Sequence, residues 1–154
     1  MKQIAILVLS ALLLAGSAAG PSGFVQWRSS ELKAYAKKLS PKINEQKFAM
    51  DQLGVFGKHS VVIVHREGTG EAEVHENMAD LFVVQQGAAT LVVGGKVVGA
   101  KQTQPGEIRG KSIQGGEKRP LGPGDMAYIP ANLPHQVQVP AGKQITYVIV
   151  KLEK

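Results

Sequence analysis

The sequence predicts a small all-β protein of the barrel or jelly-roll type, on three observations. Short runs rich in β-branched residues recur along the chain beyond about residue 50, and several alternate between polar and apolar side chains. Turn residues separate these runs, and the 154 residues include 18 Gly and 8 Pro. That composition suits many tight turns better than it suits a helical bundle. We therefore expect one antiparallel barrel.

The predicted strands cover residues 60–66, 71–75, 81–87, 89–95, 126–129 and 145–150. The Gly-Thr-Gly sequence at 68–70 is expected to form a tight turn that returns residues 71–75. Gly87 is expected to form the turn between the next two strands, which pair with each other. Residues 100–118 contain few large apolar side chains and are expected to form an exposed excursion.

One amphipathic helix is predicted before the barrel, near residues 30–39. Leu32, Tyr35, Ala36 and Leu39 share one face, which we expect to pack against the barrel, and Pro41 ends the helix. The chain is thus divided into residues 1–20, residues 21–57 (the helix and a connecting segment) and residues 58–154 (the barrel). We find no internal repeat and no second domain in the sequence.

Residues 1–20 have the pattern of a secretory signal peptide. Lys2 precedes an apolar run from Ile4 to Ala15, and small residues follow, so we expect cleavage after Ala19 or Gly20. The run is shorter than the roughly 20 apolar residues of a membrane span. Ser17 stands where lipid attachment would require Cys. We therefore expect export to the periplasm or the extracellular space, without a stable membrane anchor.

The composition excludes several kinds of protein. The absence of Cys excludes disulfides, thiolate metal ligands and cysteine nucleophiles. The net charge of +6 comes from scattered basic residues rather than a run, so a solvated surface is favoured over a nucleic-acid partner. No Ser-His-Asp signature, phosphate-binding glycine loop or nucleotide fingerprint is present, and no organic cofactor is predicted.

A resemblance to a known family is carried by residues 124–135, which read Gly-Asp-Met-Ala-Tyr-Ile-Pro-Ala-Asn-Leu-Pro-His. This segment resembles the second conserved motif of the cupin superfamily, in which a Gly-Asp turn leads through a strand to a histidine inside the barrel. The resemblance extends over roughly residues 58–150. It implies a double-stranded β-helix, the jelly-roll barrel of cupins. Val139 departs from that motif, which often ends in Asn.

The first cupin motif reads His-x-His, three or four residues, Glu, six residues, Gly. Asp80 and Gly87 have the six-residue spacing, and the four-residue gap before Asp80 places His75 as the second histidine. Glu73 then stands at the first histidine, and Asp80 replaces the family glutamate. The other register, with His75 first and Asn77 second, leaves one residue too few before Asp80.

The resemblance implies a metal site formed by Glu73, His75, Asp80 and His135. Two imidazoles and two carboxylates suit Zn, Mn, Fe, Ni or Cu and do not distinguish among them. Each residue also has a structural interpretation. His135 could donate a hydrogen bond in its turn, Asp80 could stabilise the bend before Leu81, and Glu73 and His75 could belong to an ordinary strand with a solvated face. His65 would lie beside Glu73 if residues 68–70 form a three-residue hairpin loop.

Two classes of function follow. One is a metal-dependent cupin enzyme acting on a small molecule, of the dioxygenase, isomerase or lyase type, with no catalytic residue assigned. The other is a binding module that captures a small ligand without metal or turnover. A homodimer formed by sheet packing is compatible with the apolar strand at 145–150.

Overall fold

The computed structural model describes residues 21–154, and the predicted signal peptide at 1–20 lies outside the described residues. Within them the chain forms one α helix, α1 (Ser29–Leu39), a single 3₁₀ turn (Ser40–Lys42) and thirteen strands. The strands are β1 (Phe48–Phe56), β2 (His59–Arg66), β3 (Ala72–His75), β4 (Met78–Gly87), β5 (Ala89–Val93), β6 (Lys96–Val98), β7 (Lys101–Gln104), β8 (Glu107–Gly110), β9 (Ser112–Gln114), β10 (Glu117–Leu121), β11 (Met126–Ile129), β12 (His135–Gln138) and β13 (Ile145–Glu153).

The strands form two antiparallel sheets and a small ribbon. The five-stranded sheet has the order β1-β2-β13-β4-β11, the six-stranded sheet has the order β10-β5-β12-β3-β8-β7, and β6 pairs with β9. Apolar side chains from both sheets meet in one core that includes Val64, Phe82, Leu91 and Val137. This arrangement confirms the predicted all-β double-stranded β-helix with a short helix before it.

The helix covers the outer face of the five-stranded sheet. Successive side chains of a strand point to opposite faces, so Val62 and Val64 enter the barrel core while Val61 and Ile63 point outward. Leu39 is fully buried against this outer cluster. The predicted packing of the helix against the barrel is therefore confirmed, and β2 is apolar on both faces for this reason. No helix within residues 21–154 is long and apolar enough to cross a membrane.

Two expected strand pairings are wrong, because the chain changes sheets where a hairpin was expected. The turn at residues 68–70 carries the chain from β2 in one sheet to β3 in the other, so the strands do not pair. His65 lies opposite Ala49 and Thr146 rather than Glu73. Gly87 likewise joins β4 to β5 across the two sheets. It has a φ of +79°, and a Cβ there would collide with the Gln144 carbonyl oxygen, so this corner requires glycine.

The barrel begins earlier in the chain than the expected residue 58. Strand β1, inside the expected connecting segment, pairs with β2 along its length and shifts register between Gln52 and Gly54. Strand β1 lies at the edge of its sheet, and buried and exposed side chains do not alternate regularly along it. Its sequence therefore lacks a clear alternation of polar and apolar residues.

The expected excursion at residues 100–118 also contains strands. It includes β7, β8, β9 and the start of β10, and β8 pairs with β3. All four residues of β7 are exposed. The sequence of this strand therefore has no hydrophobic periodicity from which it could be predicted.

Candidate metal centre

The four residues of the predicted metal site lie on three strands that meet inside one end of the barrel. Glu73 and His75 are two residues apart on β3 and therefore share its inward face. Asp80 lies on β4, in the opposite sheet. His135 begins β12, directly opposite Glu73 in the β12–β3 pair. Segments that are up to 62 residues apart are thus placed side by side by the sheet register.

The donor atoms of Glu73, His75 and His135 converge, whereas Asp80 lies close to both histidines but outside that group of three. The Nε2 atom of His75 lies 3.5 Å from Oε2 of Glu73 and 3.3 Å from Oδ2 of Asp80. The Nε2 atom of His135 lies 3.8 Å and 3.7 Å from the same two oxygens. Glu73, His75 and His135 each offer a ligand atom within 4.8 Å of the others.

Both histidines have Nδ1 bonded away from this group, which aims Nε2 into it. Nδ1 of His75 lies 2.8 Å from each carboxylate oxygen of Glu107, and Nδ1 of His135 lies 3.1 Å from the carbonyl oxygen of Leu133. In each case Nδ1 carries the hydrogen, because the partner can only accept. Nε2 of His135 is buried and has no hydrogen-bond partner among the described residues. In metal sites, an acceptor bonded to the nitrogen that does not bind the metal typically orients the histidine ring in this way.

Three further charged residues, Glu107, Arg109 and Lys151, complete the group. They were not predicted from the sequence. Arg109 on β8 forms ion pairs with Glu73 and with Glu107, the latter at 3.1 Å. Lys151 on β13 contacts the two oxygens of Asp80 at 2.9 Å and 3.1 Å and lies 3.3 Å from Nε2 of His75. Glu107 and Arg109 lie two apart, which places them on one face of a strand. That signal becomes visible only once residues 107–110 are assigned to a strand.

The electrostatics of the group favour ionised carboxylates. Burial raises the pKa of Glu73, but the hydrogen bond with His75 and the charge of Arg109 outweigh it and lower the pKa to about 2. Burial likewise opposes ionisation of Asp80, yet its contacts with His75 and Lys151 hold its pKa below the usual value.

The two histidines differ in their protonation. Burial lowers the pKa of His75, but hydrogen bonds to Asp80 and Glu73 overcome this and raise it to about 9. Burial dominates at His135 and lowers its pKa. At neutral pH the group therefore contains two carboxylates beside the positive charges of His75, Arg109 and Lys151, next to a neutral His135 whose free Nε2 faces them.

A cavity of about 400 Å³ adjoins this group inside the barrel. Glu73, His135 and Lys151 form part of its wall, and its other polar residues include Gln46, Arg66, Thr69, Glu71, Arg109 and Gln136. Most of the remaining wall is apolar, contributed by side chains such as Phe48, Val62, Phe82, Val137 and Ile149. A cavity of this size, with an apolar part beside a group of polar and charged side chains, suits a small organic ligand.

No protein-family model and no curated protein sequence matches the chain. Solved structures do match. A cupin-superfamily protein from Desulfitobacterium hafniense is 13% identical with a TM-score of 0.51, over 72% of this chain and 82% of that one. The protein TT1209 from Thermus thermophilus is 18% identical with a TM-score of 0.53, over 72% of this chain and 88% of that one. The polyketide cyclase RemF from Streptomyces resistomycificus is 16% identical with a TM-score of 0.50, over 69% and 65% respectively.

These likenesses are to the fold. The chain has the double-stranded β-helix of the cupin superfamily, as the motif at residues 124–135 predicts. His135, which ends that motif, lies inside the barrel with 2% of its surface exposed. Val139, which departs from the motif, is buried in the apolar core.

Proposed function

We propose that this protein is an exported cupin that binds one divalent transition metal ion through Glu73, His75, Asp80 and His135 and holds a small molecule in the adjoining cavity. The observation that carries this proposal is the buried Nε2 atom of His135. It has no partner among the described residues, and it faces two carboxylates and a second imidazole. A buried polar atom without a partner is costly, and a bound cation would satisfy it.

The spacing of the donor atoms supports a metal. Nitrogen and oxygen ligands at ~2.0–2.2 Å from a tetrahedral metal such as Zn would be separated from one another by about 3.3–3.6 Å. The four separations between the histidine nitrogens and the carboxylate oxygens are 3.3, 3.5, 3.7 and 3.8 Å. The ligand types suit Zn, Mn, Fe, Ni or Cu.

The chain's own residues would divide the work around such a metal. Glu107 fixes the orientation of the His75 ring, and Arg109 holds the carboxylate of Glu73 toward the two histidines. Lys151 neutralises Asp80, and it would have to leave that carboxylate for Asp80 to act as a ligand. When bound, the metal would supply Lewis-acid or redox chemistry to a ligand in the cavity. Reactions of the dioxygenase, isomerase or lyase type would be compatible with this site. One similar structure is a polyketide cyclase, although a shared fold does not define a reaction.

A second function, binding of a small ligand without metal, is favoured by one specific contact. The ammonium group of Lys151 lies 2.9 Å from Asp80 and 3.3 Å from Nε2 of His75. A cation is therefore already supplied by the chain beside the two carboxylates. In this alternative the same polar group would offer hydrogen bonds directly to an organic ligand.

Metal content separates the two functions. Purified protein reconstituted with each candidate metal should retain about one ion, measured by elemental analysis after removal of free metal. His75→Ala and His135→Ala should each lose most of it, because a lost ligand opens the site. Asn77→Ala is the matched control, since Asn77 is exposed beside the site and should keep its metal. Negligible metal in the wild type, or a metal content in both histidine variants equal to that of the wild type, would leave ligand binding without metal as the better explanation.

Export and self-association belong to the same proposal. The apolar run and small residues before position 21 support cleavage after Ala19 or Gly20. The intact mass of protein recovered from the envelope fraction would show either the shortened chain or an uncleaved one. A homodimer would need a surface other than strand β13, because that strand lies between β2 and β4 and most of its residues are buried.

A further inference from the structure

Arg66, the last residue of β2, is a buried cation without an anion. Only 7% of its surface is exposed, and its Nε atom is buried with no hydrogen-bond partner in residues 21–154. No carboxylate of the described chain lies within ion-pair distance of its guanidinium, although Glu73 and Asp80 are paired with Arg109 and Lys151 nearby. Tyr147 is a hydrogen-bond partner of Arg66, but a neutral hydroxyl does not offset the charge of the guanidinium. A buried charge without a counter-ion is unfavourable, so this arginine indicates an anionic group that the protein binds.

The surroundings of Arg66 hold its guanidinium in the wall of the cavity. Its Cζ atom lies 4.9 Å from the centre of the Phe48 ring, which covers one face of the group. Gly70 makes room on another side, because a Cβ at that position would lie 2.7 Å from Nη1 of Arg66. Arg66 lines the same cavity as Glu73 and His135.

Aromatic side chains connect Arg66 to the candidate metal centre. Tyr147 and Phe82 both line the cavity, and their ring centres are 4.9 Å apart. Phe82 in turn lies edge-on to His135, at 6.3 Å between ring centres. A ligand that reaches from Arg66 to His135 would therefore lie along an apolar, largely aromatic wall.

We propose that Arg66 binds the carboxylate of a small organic acid whose apolar body occupies the cavity. The guanidinium presents parallel N–H donors that match a carboxylate, and apolar side chains of the cavity such as Phe48 and Phe82 offer contacts to an apolar body. This assignment deepens the proposed function by naming the class of ligand. The approach of the ligand's other end to the metal rests on that proposed function, whereas binding at Arg66 does not.

Calorimetric titration of phenylacetate, hexanoate and benzoate into the purified protein tests this inference, with phenylacetamide and inorganic phosphate as comparison probes. At least one acid should bind in the millimolar range or tighter, and phenylacetamide should bind much more weakly than phenylacetate. Arg66→Gln should weaken acid binding by roughly 10- to 100-fold, the loss expected for hydrogen bonds to a charged group. Arg119→Gln, at an exposed arginine paired with Glu117, should leave acid binding unchanged.

Two further measurements separate ligand binding from a structural role for Arg66. Without ligand, Arg66→Gln should unfold at a temperature equal to or above that of the wild type, because it removes an unpaired buried charge. Acid should then raise the unfolding temperature of the wild type and not that of the variant. If Arg66→Gln does not fold, Arg66→Lys keeps the charge without the paired donors and should bind acid at least several-fold more weakly.

Titrations in the presence of metal and after chelation keep this inference distinct from the metal proposal. Acid binding that depends on Arg66 in chelated protein would support the carboxylate site even if no metal binds. Three results would overturn it: no binding of any of the three acids, equal binding of phenylacetate and phenylacetamide, or equal acid binding by wild type and Arg66→Gln. Binding of phosphate alone through Arg66 would overturn the assignment to a carboxylate.

Discussion

The Nδ1 atom of His75 donates a hydrogen bond to the carboxylate of Glu107, at 2.8 Å from both of its oxygens. The two residues are 32 positions apart in the chain and directly opposite each other in the β3–β8 pair. Glu107 also accepts a hydrogen bond from Arg109, which in turn pairs with Glu73. One neighbouring strand thus orients two of the four proposed metal ligands.

Replacing Glu107 with glutamine should weaken metal binding without removing a ligand. The neutral amide of glutamine accepts the Nδ1 hydrogen of His75 less strongly than a carboxylate does, so His75 becomes a poorer ligand. The substitution also leaves Glu73 as the remaining carboxylate partner of Arg109. Loss of such a partner typically lowers metal affinity by about 10- to 100-fold. Competition with a chromophoric chelator would measure this. Glu117→Gln, at an exposed position, is the matched control, and an affinity of Glu107→Gln equal to that of the control would contradict the role of Glu107.

Lys151→Gln should strengthen metal binding while it destabilises the metal-free protein. The substitution removes a positive charge that lies 3.3 Å from Nε2 of His75, and it frees Asp80 to bind the metal. Without metal, the almost fully buried Asp80 loses one of its two cationic partners, at a cost of roughly 2 kcal/mol in the free energy of unfolding.

Chemical unfolding with and without metal would measure both effects of Lys151→Gln. Added metal should restore the stability of this variant, and Lys143→Gln, at an exposed lysine, should change neither quantity. A variant that is destabilised but gains no metal affinity would favour the ligand-binding function without metal.

Metal binding at neutral pH should release about one proton from His75. Its pKa in the metal-free protein is raised to about 9, so at pH 7 a proton occupies the nitrogen that the metal requires. Affinity should therefore increase as pH rises toward 9. The same shift has the opposite effect on the metal-free fold. Its contribution to stability is complete below about pH 6.5 and is lost as pH rises through about 9.

Calorimetric titration of Zn²⁺ at pH 7, in buffers of different ionisation enthalpy, would count the released proton. His135→Ala, which removes a histidine that is already neutral, should release as many protons per bound ion as the wild type does, although its affinity is lower. An absence of proton release in the wild type would contradict the assignment of His75 as a metal ligand.

The part of the site that could be predicted from the sequence is the part with local signatures. His135 follows a turn in which Pro130 and Pro134 restrict the backbone, and Glu73 and His75 share a face because they are two residues apart on a strand. The spacing from Asp80 to Gly87 also has a physical basis, since Gly87 forms the corner between the two sheets.

The remaining residues depend on pairing between distant strands, which leaves no local signal. Glu107 and Arg109 lie on a strand whose hydrogen bonds are made by backbone atoms, in a segment with few apolar residues. Lys151 lies on β13 just after its apolar residues and reaches Asp80 because β13 pairs with β4. The condition for placing His65 beside Glu73 is not met for the same reason, because a glycine-rich turn can either close a hairpin or carry the chain to another sheet, as it does here.

Substitution of two glycines would test the corner at Gly87. Both Gly87 and Gly142 have positive φ values, +79° and +72°, but only Gly87 has no room for a Cβ. Gly142→Ala should therefore cost about 1 kcal/mol in the free energy of unfolding, from backbone strain alone. Gly87→Ala should cost at least about 2 kcal/mol more, because the Gln144 backbone must also move. Chemical unfolding would measure both variants, and equal losses would contradict the close approach at this corner.

Anomalous diffraction from crystals soaked with Zn²⁺ or Mn²⁺ is the most direct test of the proposed metal centre. One strong anomalous peak is expected inside the barrel, about 2.0–2.2 Å from Oε2 of Glu73 and from Nε2 of both His75 and His135. Lys151 should have moved away from Asp80, whose carboxylate then completes the site. An empty site in which Lys151 still contacts Asp80 and His75, or peaks only on surface residues, would contradict it.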